Sequence, residues 1–386
     1  MYHTQLLPEF NALCYIHPLE VTQDQVLQSY NNNIAGLGVD ALPMKDDRPT
    51  SFDIAYRAGV SQSTVSRALR DSPLVNQETR ERIQAIAREL NYKVDKNASN
   101  LRSKQTSTIA LLLCEDQGIG DSMINPFFLD MLGSITRACA NRQYDLLVSF
   151  QQMSDDWHAD FEDAHRADGI IFLGYGDYVT YVEKLIHLNE VGAHYITWGP
   201  VLPGQPGMSI GCDNYNGAYK ATKHLLQLGR KHIAFIGDAS EHSPEFRRRY
   251  QGHARALKEF NIDLDPALQV SAETSEKDGK AGIQTLCERG VEFDAVFGAS
   301  DLIAIGAISG IEAAGLTVPD DIAVVGFDDI PTASYTHPPL TTVQQNTGLA
   351  GELLVDNLLK MIDGEKPESF LLPTDLIVRG SCGANR

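Results

Sequence analysis

Much of the usual machinery of catalysis is missing from this 386-residue chain. It has no G-x-S-x-G elbow, no Walker loop, no H-E-x-x-H pair and no nucleotide-binding G-x-G-x-x-G. Gly174-Tyr-Gly176 follows an apolar run, but the third glycine of a phosphate loop is lacking. The six cysteines (Cys14, Cys114, Cys139, Cys212, Cys287 and Cys382) form no C-x-x-C pair and take no metal-ligand spacing with histidine. Buried thiols in a reducing compartment are expected, with no metal, no cofactor and no enzymatic activity. No apolar run approaches the ~18 residues of a membrane span, and the N-terminus lacks a basic stretch followed by an apolar one. A cytoplasmic protein with no membrane partner is the expectation. Positive charge is scarce as well: 32 Lys and Arg face 51 Asp and Glu, a net charge of −19. Taken over the whole chain, that balance disfavours a polyanionic partner.

The charge is unevenly placed, however. Arg48 to Lys104 carries 11 Lys and Arg against 6 Asp and Glu, a local +5 that leaves −24 for the rest. Inside this basic stretch, residues 51–69 read as two short helices around a tight turn. Ile54, Ala55 and Ala58 recur at helical spacing, Gly59 suits the left-handed conformation that ends a helix, and Ser61 is placed to cap the next one. The second helix exposes Gln62, Ser63, Thr64, Ser66 and Arg67 and turns Val65, Ala68 and Leu69 inward. Short hydroxyl and amide side chains with one arginine suit the base edges and phosphates of a major groove, which makes this a helix-turn-helix with its second helix reading DNA. Asn76 caps a third helix through Tyr92, whose Ile83, Ile86, Ala87 and Leu90 form one apolar stripe. Thr50, Ser61, Thr64, Ser66 and Asn76 fit phosphate contact or helix capping, neither of which carries sequence information. Residues 48–92 are thus a DNA-binding domain and 93–106 a polar linker. Residues 1–47 show no periodicity and are expected to be a poorly ordered extension or an artefact of start-site choice ahead of Met44.

From Thr108 onward, apolar runs of strand length alternate with helical segments. Strands are expected at 109–114, 144–150, 168–173, 194–198, 231–236, 294–297 and 322–326, with helices at 126–142, 215–228, 247–260 and 300–314. Continuous apolar strands alternating with helices imply parallel sheets covered on both faces. The pattern restarts midway, so two doubly wound sheets joined at a hinge are expected, with a cleft at their strand ends. The fold class is α/β: a three-helix head followed by a two-lobed core.

Seven motifs stand in a fixed order: Ala58-Gly-Val-Ser-x-x-Thr-Val-Ser-Arg67, Glu89-Leu-Asn-Tyr92, Asn125-Pro-Phe-Phe128, Asp213-Asn-Tyr-Asn-Gly217, Val325-Gly-Phe-Asp-Asp329, Pro338-Pro-Leu-Thr-Thr-Val343 and Leu372-Pro-x-x-Leu-Ile-Val-Arg379. From about Thr50 to Gly383 the chain resembles the lactose/galactose repressor family of transcription regulators. The resemblance implies a homodimer whose heads read a near-palindromic operator in double-stranded DNA, and a core built like periplasmic sugar-binding proteins. It implies base contacts by Gln62, Ser63 and Arg67, and a hinge helix in the minor groove with Asn97, Ala98 and a wedging leucine at Leu101. One departure is Val94-Asp95, where the family often has Pro-Asn. Arg249 and Asp328 match the family's effector-binding arginine and cleft carboxylate, a donor fork opposite an acceptor that suits sugar hydroxyls. Asn125, Phe127 and Trp198 join the candidate effector set, each also readable as a cap or as core. Asp301 fits a cap or a ligand contact equally. The neighbouring Arg247 and Arg248 keep a sugar phosphate open beside a neutral sugar. The core, 107–386, divides into a first subdomain of about 107–226 and 344–372 and a second of about 227–343 and 373–386. The expected function is a repressor of carbohydrate-utilisation genes, with a sugar-binding protein lacking regulatory action, or an α/β enzyme with an added DNA-binding head, as alternatives.

Overall fold

The computed structural model describes residues 49–92, 105–114 and 124–384. The extension 1–47 and the hinge candidates Asn97, Ala98 and Leu101 lie outside the described residues. The chain divides into two compact units, one through Asp95 and one from Lys96.

The first unit is built on three capped helices. Helix α1 (Ser51–Ala58) begins where the Asp53 carboxylate accepts hydrogen bonds from both the backbone N–H and the hydroxyl of Thr50, each 2.7 Å, and ends on Gly59 at φ 65°. Only glycine takes that left-handed geometry without steric cost. Helix α2 (Gln62–Ala68) is capped by Ser61, whose hydroxyl accepts from the Thr64 N–H at 3.2 Å. Helix α3 (Gln77–Glu89) is capped by Asn76, which accepts from the Thr79 N–H at 2.8 Å. Each such cap contributes about 1 kcal/mol, which matters in helices this short. Ile54, Val65, Ala68 and Ile83 interlock as a fully buried core.

The second unit holds two six-stranded sheets. The first contains β1 (Thr108–Leu113), β2 (Asp145–Phe150), β3 (Gly169–Leu173), β4 (Tyr195–Trp198), β5 (Met208–Cys212) and β11 (Phe370–Leu372). Its order is β11-β5-β4-β3-β1-β2, and every pairing is parallel. The second contains β6 (Ile233–Ile236), β7 (Gln269–Val270), β8 (Ala295–Gly298), β9 (Ala323–Asp328), β10 (Thr341–Gln345) and β12 (Thr374–Ile377). Its order is β12-β10-β9-β8-β6-β7, with β12 alone antiparallel. Strands such as β3 and β8 are buried along their whole length, as parallel strands covered on both faces must be.

Helices α4 (Pro126–Asn141), α5 (Tyr178–Val191) and α10 (Thr347–Ile362) pack on the first sheet. Helices α6 (Asn214–Gln227), α7 (Pro244–Glu259), α8 (Glu276–Arg289) and α9 (Asp301–Ala313) belong to the second. This corrects the sequence-based division. Helix α6 was expected in the first subdomain, but its buried Ala218, Ala221 and Leu225 face α7, β10 and β12. The first lobe therefore ends at Cys212, not near 226, and it resumes at Thr347 because Thr341–Gln345 is a strand of the second sheet. The chain crosses between lobes three times, after Cys212, after Gln345 and between Leu372 and Thr374. The thiols also depart from expectation at one place: Cys114, Cys139, Cys212 and Cys382 are buried, but Cys287 is exposed.

Close helix contacts rely on glycine. A Cβ added at Gly252 of α7 would lie 2.1 Å from the Tyr215 carbonyl oxygen of α6, which is backbone and cannot swing aside. Gly252→Ala is therefore expected to push α6 and α7 apart and to lower stability by about 1–3 kcal/mol in urea unfolding. The control Gly133→Ala, on an exposed face of α4 with nothing within 4 Å, should be neutral or stabilising.

Candidate ligand cleft and nucleic-acid interface

A cavity of about 560 Å³ lies between the two sheets of the second unit. Asn125, Phe127, Phe128, Gln152, Tyr175 and Trp198 line it from the first lobe; Asn214, Glu245, Phe246, Arg249, Ser300 and Asp328 line it from the second. Asn125 begins α4, where its side-chain oxygen accepts from the Phe127 N–H at 3.0 Å, so it caps the helix and faces the cavity at once. Trp198 ends β4, with its ring 6.3 Å from that of Phe127, and the two form one aromatic wall.

Arg249 forms the opposite wall, and it is held on every side. Its Nε donates to Asn214 Oδ1 at 2.7 Å and its Nη1 donates to the Ala299 carbonyl. Nη1 also lies 3.4 Å from Asp328 Oδ1, while the guanidinium plane sits 3.7 Å above the Phe327 ring. A guanidinium fixed by this many partners meets a ligand with little further loss of rotamer freedom.

Asp328 reaches the cavity because the chain turns sharply after β9: Asp328 has φ 121° and Asp329 has φ 57°. Both are unfavourable for side-chain-bearing residues, so the surroundings must hold the turn in place. They do so with side chains. Gln345 donates to Asp328 at 2.6 Å, Gln344 and Arg379 each donate to Asp329 at 2.7 Å, and the buried Asp301 accepts from the Ile330 N–H at 2.9 Å. Asp301 thereby departs from the effector set proposed from sequence. It is fully buried, accepts a second bond from Thr342, and lies behind the turn, outside the cavity lining. Burial raises the Asp301 carboxyl well above its ordinary value, as does the charge of Asp328; burial raises Asp328 too, opposed by Arg249 and Gln345.

Three contacts bridge the lobes at the cavity. Tyr175 donates its hydroxyl to Glu245, and Asp177 pairs with His242 at 2.9 Å beside a backbone bond from the Tyr178 N–H to the His242 carbonyl. Burial pushes Glu245 up to about 7 from 4.5, with Arg249 opposing the shift.

On the first unit, α2 presents Ser63 and Arg67 exposed, with Gln62, Thr64 and Ser66 half-buried. Thr64 hydrogen-bonds to the Ser61 hydroxyl, and Ser66 accepts from Arg70. The Gln62 amide nitrogen donates to the Ser51 hydroxyl at 2.9 Å, which ties α2 to α1. Thr50 and Asn76 act as caps, as expected for residues of their type.

Comparison with known proteins places both units. Residues 52–95 match the bacterial regulatory proteins of the lacI family, and residues 222–382 match the periplasmic binding protein-like domain. The ribose operon repressor of Haemophilus influenzae is 31% identical over 344 residues, which cover 86% of this chain and 98% of that protein. The chain belongs to the lacI family. The transcriptional regulator CelR of Thermobifida fusca is 30% identical over 340 residues, again 86% of this chain and 98% of its own. Among solved structures, a CelR–cellobiose complex superposes with a TM-score of 0.65 at 29% identity over 86% of this chain and all of that one. The lac repressor dimer bound to operator and an anti-inducer gives 0.73 at 27% identity, over 86% of this chain and 99% of that one. As a lacI-family member the chain is a DNA-binding transcription regulator, and the family's members are regulators, not enzymes. Among the described residues no helix is long and apolar enough to cross a membrane.

Sequence reasoning missed Asn214, Gln345, Tyr175 and Glu245. Asn214 had a signal, since it sits inside the Asp213–Gly217 motif; the Tyr175–Glu245 pair is separated by 70 residues and had none. The raised Glu245 value has a thermodynamic consequence. Between pH 4.5 and about 7 the folded protein keeps a proton that the unfolded chain releases, so this group's contribution to stability falls as pH rises through that window. Calorimetry of Glu245→Gln should give a Tm at least about 2–4 °C above wild type at pH 8 and a much smaller difference at pH 5, near the foot of that window. An equal difference at both pH values would contradict the assignment.

Proposed function

We propose that this protein represses carbohydrate-utilisation genes as a cytoplasmic homodimer, and that a small carbohydrate in the cleft sets its affinity for operator DNA. The observation that carries the reading is the immobilised Arg249, opposed to Asp328 and facing the Phe127–Trp198 wall across the cavity. Guanidinium donors beside a carboxylate acceptor match vicinal hydroxyls, and an aromatic face matches the apolar face of a sugar ring. The cellobiose bound to the CelR relative supports the same ligand type.

In this reading Gln62, Ser63 and Arg67 contact base edges, and Thr50, Ser61, Thr64, Ser66 and Asn76 lie along the backbone phosphates. Asn97, Ala98 and Leu101 form the minor-groove hinge. The ligand contacts Asn125, Phe127, Trp198, Arg249 and Asp328. The coupling runs through the crossings: Asn214 lies two residues beyond Cys212, Gln345 ends the second crossing strand, and each is bonded to Arg249 or Asp328. A ligand that prefers one lobe arrangement shifts the equilibrium by the difference between its affinities for the two, and no further. A sugar-uptake binding protein shares such a core but has no use for a reading head, which disfavours that alternative.

Anisotropy titrations with DNA from the region upstream of the gene test the proposal. Specific binding that weakens steeply with salt is expected, since phosphate contacts release counterions. Arg67→Ala should weaken specific binding roughly 10–100-fold while leaving sugar-induced thermal stabilisation unchanged. Absence of specific binding both with and without sugars would overturn it.

A further inference from the structure

The cleft has an unbalanced charge that the carbohydrate reading does not by itself require. Five carboxylates line it, those of Asp177, Asp238, Glu245, Glu273 and Asp328, against one arginine, Arg249, and one histidine, His242, among the described residues. Both are already engaged with a lining carboxylate: Arg249 lies 3.4 Å from Asp328, and His242 lies 2.9 Å from Asp177. Arg247 and Arg248, next to Arg249 in sequence, are exposed on α7 and do not line the cavity.

Glu245 occupies the decisive place. It stands in the first turn of α7, four residues before Arg249 and therefore on the same helix face, and it receives the Tyr175 hydroxyl from across the cleft. An anionic group brought to the Arg249 fork would meet a guanidinium whose charge is already balanced by Asp328, with the Glu245 carboxylate on the same helix face. An uncharged polyol meets no such penalty, and its hydroxyls supply the donors that carboxylate oxygens accept.

Resting on the carbohydrate reading above, we propose that the cleft is selective for uncharged saccharides and that Glu245 is the specificity-determining residue that excludes phosphorylated and carboxylated sugars. Like charges a few ångströms apart in a partly desolvated site repel by enough to change affinity on the order of 100-fold.

The test is calorimetric binding at pH 8, where Glu245 is ionised. A broad panel of neutral mono-, di- and trisaccharides is compared with sugar phosphates and uronates of the same rings. The expected result is binding by at least one neutral sugar, with its phosphate or uronate weaker by about 100-fold or more. Glu245→Gln should narrow that gap at least tenfold, read as the ratio of the anionic to the neutral sugar's affinity in the same variant. An anionic sugar that binds as tightly as its neutral counterpart overturns the inference and leaves the carbohydrate reading standing. A gap unchanged in Glu245→Gln removes the role of Glu245. No binding by any member of either set overturns the carbohydrate reading itself, and this inference with it.

Discussion

The buried guanidinium of Arg249 is the contact on which the rest of the core depends. Burying a charge is costly unless it is paired and hydrogen-bonded, and this one is satisfied by four groups from three segments of the chain outside its own helix. Asn214 comes from the start of α6, Ala299 from the loop after β8, Asp328 from the end of β9, and the Phe327 ring lies beneath. Removing the Asn214 or Asp328 side chain leaves a buried donor or charge unmatched. The second lobe is thus organised around a group that also faces the cavity, so the side chain that would meet a ligand is the same one that ties four segments together.

That arrangement joins ligand recognition to the hinge. The lobes are linked by three crossings, and two of them begin or end within two residues of a partner of Arg249 or Asp328. The strained turn at Asp328 and Asp329 sits beside the second crossing, clamped by Asp301, Gln344, Gln345 and Arg379. A site whose supports double as hinge neighbours responds to a ligand by favouring one discrete lobe arrangement over another. Coupling energies of about 1–3 kcal/mol are typical of such two-state devices and correspond to roughly 5–150-fold in operator affinity.

The sequence made some of this visible and hid the rest for physical reasons. Caps such as Ser61 and Asn76, and the glycine at position 59, act on their own neighbours, so local chemistry revealed them. Arg249 and Asp328 were singled out through the family resemblance, which did not state that Asn214 would hold one and Gln345 the other. The lobe assignment of α6 failed because a stripe such as Ala218, Ala221 and Leu225 tells which face is buried but not against which sheet. Asp301 looked like a cap or a ligand contact and proved to be the support of a turn 29 residues away. Pairs that meet only when the lobes come together, such as Tyr175 with Glu245 and Asp177 with His242, leave no local trace.

The central claim is that the cleft and the reading head share one equilibrium. The most direct measurement is the full thermodynamic cycle: operator affinity with and without saturating sugar, and sugar affinity with and without saturating operator. Linkage requires the two ratios to be equal, and the account predicts a common factor well away from one. Tight sugar binding that leaves operator affinity unchanged would contradict it.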